Sequence, residues 1–203
     1  MREEFFNCLA EDQRIAAIHS PKKLDQFLRT NLRIAFLMTG NISVIKRYVD
    51  VLKKHNRLVF LHLEKIAGIS YDKEGIKFIA KLVQPTGIIS TKGSLIQLAK
   101  KEGLLTIQRL FLVDTEAMNH GINLVDVCQP DVVEIMPALM PDMIQKVVHK
   151  TNVPIITGGL VYEEKHLVAA LHSGAQAVST GDDSFWKSQN KLLVRNNARK
   201  HYE

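Results

Sequence analysis

The sequence predicts an α/β fold of the (β/α)8, or TIM-barrel, type, and three observations point there. Short apolar runs rich in β-branched residues recur eight times. Segments with helical periodicity separate them. Successive runs begin 18 to 29 residues apart, which is the rhythm of βα units in a parallel sheet. The runs are mostly apolar rather than alternating, as strands buried on both faces are. Eight such units close naturally into a ring; an open doubly wound sheet is the alternative. The chain has 203 residues, against about 250 for a typical barrel, so the loops must be short. Residues 1–203 read as one compact domain.

The first run, RIAAI (14–18), is followed by Pro21, whose fixed φ suits a helix start. The second, RIAFLM (33–38), precedes a helix over 43–55 with Val44, Tyr48, Val51 and Leu52 on one face. After the third, RLVFLHL (57–63), Ile76, Ile79, Ala80 and Val83 mark a helix over 74–83. The fourth, TGIIS (86–90), leads to 93–102, carrying Leu95, Leu98 and Ala99 and closed by Gly103. The fifth, LLTIQ (104–108), leads to 115–127, with Met118, Ile122 and Val125 aligned. Behind the sixth, VVEIM (132–136), Pro141 opens a helix over 141–149 with Met143, Ile144, Val147 and Val148. The seventh, VPIIT (153–157), leads to 163–173, with Leu167, Val168 and Leu171, closed by Gly174. The eighth is QAVST (176–180). In every helix apolar residues recur at three or four, the spacing that faces a core.

Composition limits the function classes. Hydrophobic residues make up 46% and charged residues 24%, as in a soluble globular protein. Cys8 and Cys128 stand far apart and outside any CxxC pattern, which argues against a disulfide framework or a zinc site and fits a reducing compartment. The N-terminus lacks a basic-then-apolar leader, and no apolar run approaches the roughly 20 residues of a membrane helix. A cytoplasmic protein with no membrane partner is expected. The formal net charge is +6; residues 187–203 carry five Lys/Arg and one acid and so contribute +4 of it, leaving the remainder close to balance. A basic excess favours anionic partners.

In a barrel of this type the site lies at the C-terminal ends of the strands, and the loops after strands seven and eight frequently hold a phosphate. Here those ends read ITGGL and VSTGD. Gly158 and Gly159 allow close approach of the backbone to a ligand. Thr180 and Gly181 precede an expected helix start at Asp182–Asp183, where N–H groups would favour an anion. The plainer account is a pair of tight turns. Other strand ends carry His19, Ser20, Thr39, Gly40, His62, Glu64, Ser90, Thr91, Lys92, Gln108, Arg109, Glu134 and Met136. Lys92 and Arg109 suit a small phosphate. Glu64 and Glu134 could act as acid and base and Lys92 as a Schiff-base amine, but no triad, metal cluster or nucleophile elbow accompanies them. His62 and Glu64, two apart on a strand, are expected to face opposite ways. We therefore assign no catalytic residue, no metal and no cofactor.

The segments FLHLEKIAGI, GIISTKGSLIQLAKKEGLLTIQRLFLVDTEAM, QPDVVEIMPALMP and PIITGGL…GAQAVSTGDDSFW together resemble the glycerol uptake operon antiterminator regulatory proteins, from about Ile15 to Trp186. The resemblance implies a non-enzymatic regulator that responds to glycerol 3-phosphate and binds the leader mRNA of a glycerol operon. It implies phosphate contacts from Gly158, Gly159, Thr180 and Gly181. Thr91, Lys92 and Arg109 fall in matching segments as further ligand contacts, with His62, Glu64 and Glu134 as candidates beside them. Two departures stand out. The second strand ends FLMTGNI where the family has an LDVHIG-like run, and STGDD replaces a TSN-like stretch, bringing Asp182 and Asp183 near the expected phosphate. A barrel enzyme (a lyase or isomerase) acting on a small phosphorylated metabolite is the alternative, and a metabolite sensor with a protein partner is a third reading.

From about residue 187 a basic C-terminal helix or tail is expected. Lys187, Lys191, Arg195 and Arg199 are four apart and would form one stripe on a helix, suited to a phosphate backbone. A solvated last helix is the plainer account. No aromatic-rich motif supports base stacking. The oligomeric state is open, and a homo-oligomer fits.

Overall fold

A computed structural model describes residues 1–187. Eight parallel strands form one closed barrel in sequence order: β1 (Arg14–Ile18), β2 (Ile34–Leu37), β3 (Leu58–His62), β4 (Gly87–Ser90), β5 (Leu105–Phe111), β6 (Val132–Met136), β7 (Ile155–Gly158) and β8 (Val178–Thr180). The ring shuts where β8 pairs with β1, Arg14 lying opposite Val178. Seven helices follow strands or lie between them: α2 (Pro21–Leu28), α3 (Ile45–Lys54), α4 (Lys73–Phe78), α5 (Gly93–Lys101), α6 (Thr115–Cys128), α7 (Pro141–Lys150) and α8 (Glu164–His172). Their ends follow local chemistry. Ser20 caps α2 ahead of Pro21, and Asp72 and Asp114 accept the N–H groups of Gly75 and Ala117. Gly103 and Gly174 take positive φ just past α5 and α8.

Three elements differ from the expectations. The segment over 74–83 is a short α-helix that continues as a π-helical turn, Ile79–Val83, ended by Gln84 at φ 57°. The expected helix start at Asp182–Asp183 is a single turn instead, held by N–H groups of Phe185 and Trp186 bonded to the carbonyls of Asp182 and Asp183. An additional helix, α1 (Arg2–Asp12), precedes the barrel.

That first helix places Phe5, Cys8 and Leu9 against the barrel interior, among Ile34, Phe36, Leu58, Phe60 and Ile107. The Phe5 and Phe60 rings stand 4.7 Å apart. Asp12 accepts hydrogen bonds from the backbone and guanidinium of Arg33, and Arg2 pairs with Asp131, so the helix is tied to segments that enter strands. It closes the end of the barrel opposite the site. Outside the ring the apolar layer falls into two clusters. One packs α2 to α5 on β1 to β4; the other packs α6 to α8 on β5 to β8. After β8, Trp186 is buried edge-on against Phe27 of α2 at 6.2 Å, and its indole N–H donates to the Thr180 carbonyl.

Candidate ligand-binding site

A cavity of about 450 Å³ opens at the C-terminal ends of the strands. Seven of the eight strand ends reach it. Ala17 and His19 come from β1, Met38 from β2, Lys65 from the turn after β3, Arg109 from β5 and Met136 from β6. The loops after β7 and β8 contribute Gly159 to Tyr162 and Ser179 to Asp182.

The cavity's charge is set by Arg109. Its side chain is 5% exposed; Nε donates to Glu134 Oε2 at 2.7 Å, while the buried Nη2 has no hydrogen-bond partner among the described residues. Glu134 is fully buried, and its other oxygen accepts from the Ser179 hydroxyl at 2.6 Å. This chain of bonds fixes the guanidinium and leaves donor capacity over for a ligand. Lys65 adds a second cation. Burial first, then the neighbouring Arg109 and Lys65, push the His19 imidazole below its ordinary pKa. The cations that add to the effect of burial mark a field that attracts anions.

The two glycines of the β7 end have different reasons. A Cβ on Gly158 would lie 2.0 Å from Ser179 Oγ and 3.2 Å from Glu134 Oε1, so the bare backbone there admits the Ser179–Glu134 bond. Gly158 does not line the cavity. Gly159 does, at φ +79°, a conformation that L side chains rarely adopt. Gly181 also lines it, against the His19 ring, beside Thr180. Gly159 and Gly181 each directly follow the last paired residue of their strands, Gly158 and Thr180.

The remaining expected residues form a second cluster beside the cavity rather than in its lining. Strand alternation misplaced His62 and Glu64. The chain leaves β3 at His62 and enters a 3-10 turn, Leu63–Lys65, which brings His62 Nδ1 to 3.2 Å from Glu64 Oε2. Glu64 Oε1 accepts from the Ser90 hydroxyl at 2.6 Å and from the Thr91 backbone at 3.0 Å and hydroxyl at 3.1 Å. Burial alone would raise the Glu64 pKa. The adjoining His62 ring, the Ser90 hydroxyl and the backbone N–H groups of Glu64 and Thr91 outweigh it and hold the carboxyl at about 2. Lys92 is exposed, its ammonium 4.4 Å from the centre of the Tyr71 ring. Asp182 lines the cavity but turns its carboxylate to the Ser184 N–H; Asp183 pairs with Lys23. Both acids are thereby drawn to partners of their own. Lys187 is exposed; Lys191, Arg195 and Arg199 lie outside the described residues.

Sequence reasoning missed Lys65, Met38, Leu160, Tyr162 and Ser179 as lining residues. Lys65 sits one residue past Glu64, and only the turn geometry reveals which side it serves. Among the described residues no group of three or more His, Cys, Asp and Glu side chains could hold a metal ion, and no helix is long and apolar enough to cross a membrane.

The family of glycerol-3-phosphate responsive antiterminators matches residues 14–186. The chain is 32% identical over 185 residues to YgcP, an uncharacterized protein of Escherichia coli K12, spanning 91% of this chain and 97% of that one. The glycerol uptake operon antiterminator regulatory protein of Listeria monocytogenes superposes with TM-score 0.83 at 33% identity, covering 85% of this chain and 94% of that one. A glycerol uptake operon antiterminator-related protein of Thermotoga maritima superposes with TM-score 0.76 at 27% identity, covering 85% and 96%.

Proposed function

The chain belongs to the glycerol-3-phosphate responsive antiterminator family, and from that premise we propose that it binds glycerol 3-phosphate in the barrel-mouth cavity and, so loaded, engages the leader mRNA of a glycerol operon to prevent early termination. The observation that carries the ligand half is the buried Arg109 with its unpartnered Nη2, lining the same cavity as Gly159 and Gly181. The phosphate lies against the N–H groups of Gly159 and Gly181 and the Thr180 hydroxyl, with Arg109 and Lys65 supplying positive charge. The output follows by linkage: glycerol 3-phosphate must bind the RNA-competent state better than the other state, or it shifts nothing. The loops it touches, from β1 to β8, are the elements that would change order on binding.

The reading as a lyase or isomerase is less well supported by the same geometry. Both oxygens of Glu134 are engaged, by Arg109 and Ser179, Glu64 Oε1 is taken by Ser90 and Thr91, and neither carboxylate lines the cavity.

Calorimetry tests the ligand. Glycerol 3-phosphate should bind wild type well ahead of glycerol, and Arg109→Lys, which loses the guanidinium fork, should weaken it by about tenfold or more. Equal binding of both compounds would remove the phosphate site. Filter binding of the leader transcript with and without glycerol 3-phosphate tests the output, and retention should rise with ligand.

A further inference from the structure

The modest total charge conceals a segregation that the barrel makes spatial. Residues 22–102, which supply α2 to α5, hold sixteen Lys and Arg against six Asp and Glu, a formal +10, with Lys65 among the cations lining the cavity. Residues 103–186, which supply α6 to α8, hold four against ten, a formal −6. Each βα unit lies beside the next around the closed ring, so these two runs become two halves of the outer wall. The division is the one that separates the two apolar layers beneath.

The basic half is organised at its helix ends. Lys53 at the end of α3 donates to the Gln84 carbonyl, Lys81 reaches Glu102 beyond α5 at 3.5 Å, and Lys100 donates to the Gln129 carbonyl past α6. These contacts link neighbouring C-termini, where cations complement the helix dipoles. They also hold positive charge in a row along one rim. Beside that row Lys54 and Lys101 are exposed, and among the described residues neither has a carboxylate within ion-pair distance. Arg47, also exposed, lies 5.9 Å from the Tyr48 ring.

We propose that this basic half-wall, α2 to α5, is the surface that contacts RNA, through the phosphate backbone. The inference rests on the family reading for RNA as partner and adds the face. Three features favour it. The large apolar side chains exposed over the same residues are Ile42, Val51, Tyr71 and Leu82, spread over separate loops and helices rather than gathered into the apolar core of a protein interface, whereas a phosphate backbone needs cations alone. The acidic half repels RNA and so orients the encounter. Trp186 packs on Phe27 of α2, so the chain enters its basic C-terminal run at the edge of this same half.

Filter binding of the leader transcript to the full chain, from about 50 to 200 mM salt, tests the face. The variants are Arg47→Gln with Lys54→Gln and Lys101→Gln, and a control on the other half, Lys146→Gln with Lys150→Gln and Lys165→Gln. Circular dichroism checks that both fold. The first should lose about tenfold or more in affinity, with a log–log salt slope shallower by about 2, since a single-strand phosphate contact contributes about 0.7. The control should match wild type. A first variant that binds as wild type does overturns the face while leaving RNA as the partner. Equal loss in both variants also overturns it, because net charge alone then suffices. A wild type that retains polyglutamate but not the transcript overturns the inference and the RNA reading together, in favour of an acidic protein.

Discussion

Glu64 shows how a carboxylate can look catalytic and be architectural. Its Oε1 joins the turn after β3 to the end of β4 through Ser90 and Thr91, while Oε2 lies 3.2 Å from His62 Nδ1. The folded carboxyl titrates at about 2, against an ordinary 4.5. A depressed folded pKa means that the ionised form stabilises the fold above about pH 4.5, and that this contribution is lost as pH falls toward 2. Urea unfolding followed between pH 5 and 2 should therefore fall more steeply for wild type than for Glu64→Gln. Parallel slopes would show that the carboxylate is not held as described. Gly158 and Gly159 make the same point for backbone. They are adjacent and alike in sequence, yet one accommodates Ser179 and the other adopts a left-handed φ at the cavity.

At the scale of elements, the segment after β8 anchors the last strand. β8 has only three residues, and Trp186 is its brace, buried to 1% exposure between α2 and the Thr180 carbonyl. Trp186→Ala should lower the free energy of unfolding by about 3–5 kcal/mol in urea titration, while Tyr162→Ala, at 59% exposure, should stay within about 0.5 kcal/mol of wild type. Much of this layer is legible beforehand. The eight strands announce themselves as apolar runs, and α2, α5, α7 and α8 carry Pro or Gly at the expected ends. The N-terminal helix was not foreseen: Phe5, Cys8 and Leu9 recur at helical spacing, but the segment is charged and short, and nothing in the pattern says that its apolar face enters a barrel. His62 and Glu64 were misplaced because strand alternation holds only while the strand lasts, and β3 ends between them. Lys65 could not be assigned to the cavity without that turn.

The molecule as a whole is a ring, and its cavity draws on seven of the eight strand ends. A ligand there binds the assembled ring and not the unfolded chain. At a concentration of about 100 times Kd it should add about 2.7 kcal/mol of stability. For a chain of this size that corresponds to a rise in Tm of about 5–10 °C. Thermal melts should show this with glycerol 3-phosphate and not with glycerol. The charge distribution also belongs to this scale: a total of +6 reads as near-neutral along the chain, and only the circular order of units turns it into two opposed faces. The same circular order has a consequence for biosynthesis. The seam between β1 and β8 joins the first strand to the last, so a nascent chain carries two unsatisfied parallel edges until the residues through Trp186 have left the ribosome. The last step of folding must await β8, and a product truncated before it is an open sheet that recruits other chains rather than a smaller barrel.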